Sequence, residues 1–375
     1  MAIRTSTRFR RVITRSVHSL LAGLVLSASV LAWSATQQDA QAWDAHGHRS
    51  ITWLALDGMD KSAPAWLRDP NTRHSIAWQS AETDRWRGQK NAYIMNSTYM
   101  NHFLDVEELG PLGLTLETVS PLRYRFLRDM AIARHEHPTG INGDSKPYNP
   151  KFDPTGQSEW PGFVMHASCE QHAILTSQFK TYRMLEKLNE PARAPQLEMA
   201  KANIMVTMGI LAHWVGDTAQ PLHTTRHFNG WIGDNPKNYT TSKKIHVYID
   251  GGVIAHHKLD YSVLKVGQKY DIKIEGTDPW AEVVTYTKRS HDLVEPLYIL
   301  EQSGELNADA GKTFIIARLQ DAGAMLSAMY NNAWQNSEPS DKDLADFQMY
   351  DNFDKSQLPE STAAPAQPAP AAATK

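Results

Sequence analysis

The sequence predicts a mainly α-helical protein, and three observations predict it. Ile315, Leu319, Ala322, Leu326 and Met329 step by four and three, the mark of a helix with one apolar stripe. Ile204, Met208, Leu211 and Val215 repeat that spacing, as do Leu175, Phe179 and Tyr182. Strand signals are sparse by comparison.

In chain order, a helix is expected over residues 120–135. Residues 138–161 are rich in Gly, Pro, Asn and Asp and read as a long surface loop. A helix within 166–189 follows, then one carrying the Ile204–Val215 stripe. Pro221 ends that helix, because it lacks the N–H a further turn needs. Residues 245–254 have β-like composition, and Tyr270 to Glu275 alternates as a short strand does. Asp278-Pro279 reads as an N-cap with Pro at the first helical position, opening a helix from Trp280 to Val294. The 315–329 stripe gives the last helix.

The 375 residues are 41% hydrophobic and 21% charged, enough for a large core. A formal net charge of -3 excludes a strongly basic nucleic-acid coat. One cysteine, Cys169, excludes an intramolecular disulfide. The 16 histidines are the unusual feature.

Both ends separate from the body. Arg4, Arg8, Arg10, Arg11 and Arg15 precede a short apolar run, Leu20 to Leu26, and Ala40-Gln41-Ala42 supplies a small-residue cleavage pattern. Residues 1–42 are therefore expected to be a signal peptide, with an exported product, periplasmic or secreted, beginning at Trp43. Removal of these residues makes the chain more acidic, since they hold five Arg and one Asp. No later run is apolar and long enough to imply stable membrane insertion. Residues 337–375 turn polar and then Pro/Ala-rich, and are expected to be a disordered tail. The body is expected over residues 43–336.

His213 and Asp217, four apart on the third helix, share a face, and Gly209 one turn earlier suggests space for something bulky there. His223 arrives just past Pro221. Two imidazoles and a carboxylate suit zinc. The alternative is a core histidine bonded to its carboxylate. His246 and Asp250 repeat the four-residue spacing, and share a face on a helix or a strand alike. Upstream lie Asp84, among basic and aromatic residues, and His102-Phe103-Leu104-Asp105. Cleavage after Ala42 would free the α-amine of Trp43, which with the Trp43 carbonyl can chelate a metal. His48 could complete that site.

The set Trp43-x-x-x-Gly47-His48, Asp84, His102-Phe103-x-Asp105, His213-x-x-x-Asp217, His223 and His246-x-x-x-Asp250 resembles a zinc superfamily. It joins the single-strand-specific S-one/P-one type nucleases to the zinc-dependent phospholipases C. The resemblance spans residues 43 to about 254. It implies a single helical domain with a trinuclear zinc cluster at the base of a cleft, which overrides the strand signal around His246. Asp84, His102, His213 and Asp217 would take one zinc. His223, His246 and Asp250 would take a second. The Trp43 amine and carbonyl, His48 and a shared Asp217 would take a third. Asp105 becomes the candidate for orienting or deprotonating the nucleophile, and Phe103 for stacking a base. The short Trp43–His48 spacing and the acid Asp250 resemble the nuclease branch. Residues 227–235 depart from its usual glycine-rich loop. The expected activity is phosphodiester hydrolysis, most of all endonuclease action on single-stranded DNA or RNA, with 3′-nucleotidase activity open. Phospholipase C activity on lipid head groups is the alternative, and a protein using zinc only to hold its fold is a third.

Overall fold

The computed structural model describes residues 43–351 except 144–147, 152, 155 and 157. The expected signal peptide and residues 352–375 lie outside the described residues. Among the described residues there are helices and no strand, only an isolated bridge between Leu104 and Gly162.

The helices are α1 (Ala45–Asp57), α2 (Pro70–Gln79), α3 (Glu82–Arg87), α4 (Ala92–Thr98), α5 (Arg123–Glu136), α6 (Val164–Leu188) and α7 (Ala194–Ala219). After a loop come α8 (Lys244–Val247), α9 (Val253–His257), α10 (Tyr261–Leu264), α11 (Trp280–His291), α12 (Val294–Gln302), α13 (Asp309–Gln335) and α14 (Asp341–Asp351). Local chemistry marks their starts. The Asp44 carboxylate caps α1 by accepting from the His46 and Gly47 N–H groups. Asp69 caps α2 at the Thr72 N–H, with Pro70 in the first turn.

α7 is the axle. It packs against α6, α13, α2 and α1, and its C-terminal half is buried on every side. The predicted stripe Ile204, Met208, Leu211 and Val215 lies in the core. Two buried tyrosines donate to its carbonyls: Tyr330 to Met208 O at 2.6 Å and Tyr286 to Val215 O at 3.0 Å. Gly209 does not leave room for a bulky group, as the sequence suggested. A Cβ there would lie 2.3 Å from Gln79 Cβ and 3.0 Å from Ile76 O, so the glycine lets α2 approach.

The five predicted helices are all present, with α5, α6 and α13 close to the expected spans. Neither strand signal forms a strand. Residues 245–254 are helical, with a π turn over Tyr248–Gly252 between α8 and α9. Residues 270–275 have no regular structure and pair with no strand. The Asn332 amide instead donates to Ile274 O and Gly276 O, at 3.3 and 2.9 Å. Within the expected tail, residues 341–351 are instead a helix, α14. Ser337 is buried, the Lys187–Glu338 ion pair holds the segment before α14, and α14 itself is held by the Lys180–Asp343 pair and by Phe347 against the core. Its four aspartates hid the helix in a polar stretch.

α6 carries two histidines away from the α7 cluster. His166 stacks on Phe126 and donates from Nε2 to Ser120 O at 2.9 Å, and His172 lies near Asn332. Burial lowers both, each from 6.5 to about 4. The unfolded chain therefore binds more protons than the folded one between those values. Stability should fall as pH drops from 6.5 to about 4, and lose nothing further from these groups below that. In urea titrations of chelator-treated protein, His172→Gln should lose less stability across that window than the wild type. Equal losses would mean His172 is protonated in the fold.

Candidate metal centre

α7 supplies the middle of the site. His213 and Asp217 lie one turn apart, both without solvent exposure. Pro221 breaks the helix into a 3-10 turn, Pro221–Thr224, which swings His223 into the same space. The His102 end of a second 3-10 turn, Tyr99–His102, enters from the side. α1 adds His48, α3 adds Asp84, and α8 with the π turn adds His246 and Asp250. A π turn widens the helix by one residue and is common at functional sites.

Asp217 is the hub. Its Oδ1 faces His48 Nε2 at 3.3 Å, while its Oδ2 faces His102 Nδ1 at 3.0 Å and His213 Nε2 at 3.3 Å. Asp84 Oδ1 lies 3.8 Å from His213 Nε2 and 3.9 Å from His102 Nδ1. On the other side His246 Nε2 is 3.0 Å from His223 Nε2 and 3.5 Å from Asp250 Oδ2. Three sets of side chains offer ligand atoms within 4.8 Å of one another: His48, Asp84 and His213; His102, His213 and Asp217; His223, His246 and Asp250. Buried His/Asp groups able to hold a metal ion are thus present. The third set has the expected membership. The first two overlap at His213 and place His48 with Asp84, where the expected division places it with Asp217 and Trp43. His48 is in fact close to both, since its ring stacks on His213 with centroids 4.0 Å apart.

Backbone carbonyls set the imidazole tautomers. His213 Nδ1 donates to Ser80 O at 2.7 Å, and His223 Nδ1 donates to His102 O at 2.6 Å. In a neutral ring this leaves Nε2 as a bare lone pair pointing into the cluster, the arrangement a metal ligand needs. Gln220 orients an acid in the same way. Its Nε2 donates to Asp250 Oδ1 at 2.8 Å, and its Oε1 accepts from Leu222 N at 2.6 Å.

Burial perturbs the whole set. It is the largest cause in each case, pushing Asp217 up to about 7 and Asp250 well above the carboxylate range. It lowers His48 and His213, takes His102 and His246 well down, and holds His223 at about 3. Three of the atoms that face the cluster have no hydrogen-bond partner: His48 Nε2, Asp217 Oδ1 and Asp250 Oδ2. A core histidine network closed by its own hydrogen bonds would not leave them so. The donor set, neutral imidazoles and carboxylates without thiolate, fits zinc.

Trp43 is fully buried. Its neighbour's amide, Asp44 N, donates to Asp250 O at 2.9 Å, so the chain enters the fold beside a ligand. Gly47 permits this: a Cβ there would lie 2.9 Å from Trp43 Cβ. Asp105 sits on a turn tied to the centre by Leu104 N donating to His223 O at 2.9 Å. Its Oδ1 is buried and without a partner, and burial, then Glu107 and Glu108, push its proton affinity well up. Phe103 is half-buried, edge-on to Tyr99 with ring centroids 5.8 Å apart.

The sequence reading missed Ser80, Gln220 and Arg87. The first two act through ordinary polar groups that no spacing singles out. Arg87 had a signal, its position three after Asp84 on one helix face. It is buried, with Nη2 3.0 Å from Asp84 Oδ1. The chain matches no protein-family model, and no curated protein matches it.

In the metal-free protein Arg87 is the cation that offsets Asp84. Removing one partner of a buried pair costs about 3–5 kcal/mol, since the other charge stays buried. Arg87→Met should lower metal-free stability in urea by about that amount near neutral pH. A change below about 0.5 kcal/mol would show that the pair is not desolvated.

Proposed function

We propose that this protein is a zinc-dependent phosphodiester hydrolase whose substrate is single-stranded nucleic acid or a nucleotide. Its class is that of the S-one/P-one type nucleases within the phospholipase C/nuclease superfamily. The observation that carries the reading is Asp217, whose two oxygens face different histidines. A carboxylate so placed can serve two metal ions at once. In this reading Asp84, His102, His213 and Asp217 hold one zinc, and His223, His246 and Asp250 a second. Asp217, His48 and the amine and carbonyl of a processed Trp43 hold the third. Export and cleavage between Ala42 and Trp43 belong to the same proposal.

Zinc in such a site supplies Lewis acidity toward phosphoryl oxygens and a nucleophile at neutral pH. The protein's own groups do the rest. Three zinc ions against the carboxylates of Asp84, Asp217 and Asp250 leave a positive centre that can draw in a phosphate despite the acidic chain. Arg87 adds a guanidinium beside Asp84. Asp105 Oδ1, buried and unpartnered, is the atom proposed to orient or take the proton of the attacking water. Burial raises its proton affinity, which makes it a stronger base than an exposed aspartate. Phe103 offers an aromatic face for an unpaired base. A base held in a duplex cannot reach such a face, and a chain of net charge -3 offers little general attraction for a duplex.

Protein beginning at Trp43 should contain close to three zinc ions by elemental analysis and lose activity with chelator. Offered single-stranded DNA, RNA, a 3′-mononucleotide and phosphatidylcholine in parallel, it should cleave single strands faster than duplex. Hydrolysis of phosphatidylcholine alone would make it a phospholipase C, and zinc without any hydrolysis would leave the metal a role in folding.

Asp217→Asn removes a charge and a shared ligand together, and should lower kcat by at least about 10²-fold. Asp105→Asn should slow the reaction with zinc content unchanged. Full activity in the Asp105 variant would remove that residue from the mechanism.

A further inference from the structure

We propose that Glu107 is a positioning residue of the metal centre, its carboxylate tying the turn that follows His223 to the turn that carries His102 and Asp105. The proposal rests on the metal reading above. Two irregular segments meet here. One runs from His102 through an extended Phe103 and Asp105 into a 3-10 turn, Val106–Glu108. The other leaves the Pro221–Thr224 turn through an extended Thr225. Neither is held by a regular helical ladder at this point, so their register depends on individual bonds.

Two such bonds act at His223 itself, from its Nδ1 to His102 O and from Leu104 N to its own carbonyl. Glu107 fixes the next residues. Its Oε1 accepts from Thr225 Oγ1 at 2.5 Å and its Oε2 accepts from Arg226 N at 3.0 Å. Thr225 Oγ1 in turn accepts from His227 N at 3.1 Å. One carboxylate therefore organises three consecutive residues, and Thr225, fully buried, has Glu107 for its hydroxyl. Hydrogen bonds to an ionised acceptor are stronger and shorter than neutral ones. The neighbour Glu108 has a different position. It meets only the Arg226 side chain, at 3.3 Å, with both groups about a third exposed. The two glutamates are thus similar in charge near Asp105 and different in what they hold.

This contrast gives the test. Zinc affinity is measured by chelator competition on protein beginning at Trp43, with kcat and KM on a single-stranded substrate and metal-free melting alongside. Loss of an outer-shell partner typically weakens metal binding or activity by about 10–100-fold. Glu107→Ala should weaken one of the three zincs by about 10-fold and lower kcat by a similar factor, leaving KM unchanged. Glu107→Gln, which can turn its amide to keep both contacts, should recover most of the loss. Glu108→Ala should stay within about twofold of the wild type on every measure. Glu107→Ala within twofold of the wild type would overturn the proposal. So would Glu107→Gln and Glu108→Ala matching its loss, which would make charge the cause. Equal weakening of all three zincs with a lowered melting temperature would reduce Glu107 to a general structural role. A wild type that takes up no zinc would sink the metal reading, and this proposal with it, before any variant is made.

Discussion

The burial of Asp217 is the constraint on which the rest depends. A carboxylate without solvent exposure, with a second acid, Asp84, near the same histidines, is costly in a low-dielectric interior. The penalty for each uncompensated buried charge is several kcal/mol. One guanidinium, Arg87, cannot offset Asp84, Asp217 and Asp250 together. The protein has two ways out. It can protonate its acids, which is where burial pushes Asp217 and Asp250, or it can bind cations. The surrounding imidazoles are held neutral by the same burial, so they compete little for the acids and remain available as ligands.

The fold is arranged to make that constraint tolerable. α7 must be buried on all sides to carry the hub, and Gly209 allows α2 close enough for Ser80 O to fix the His213 ring. Pro221 turns the chain so that His223 faces His246 instead of continuing along the helix. The π turn does the same for Asp250, which Gln220 then orients. Pro221 and the π turn are local departures from regular structure, and each brings a candidate ligand into the cluster. Around them the long α6 and α13 supply the apolar packing that an interior of charged groups cannot.

Much of this was legible in the sequence because helical periodicity repeats. The stripes of α6, α7 and α13 and the i, i+4 pairs His213/Asp217 and His246/Asp250 follow from spacing alone. What was not legible depends on contacts between distant segments. Residues 245–254 read as β-like because Ile, Val and Tyr favour strands, yet with no strand partner nearby the helical turn wins. Gly209 was visible as a gap in a face, but only the approach of α2 shows what fills it. α14 was hidden because its acidic residues resemble a solvated tail until Lys180 is seen opposite Asp343. Gln220 and Ser80 have no motif of their own, and Arg87 had only its spacing from Asp84. Their roles come from the atoms they face.

The central claim is that the buried His/Asp cluster holds three metal ions around Asp217. Anomalous diffraction at the zinc edge, on crystals of protein that begins at Trp43, tests it most directly. The account predicts three peaks: among Asp84, His102, His213 and Asp217; among His223, His246 and Asp250; and between Trp43, His48 and Asp217. No peak within the cluster, or a single one not touching Asp217, would contradict it.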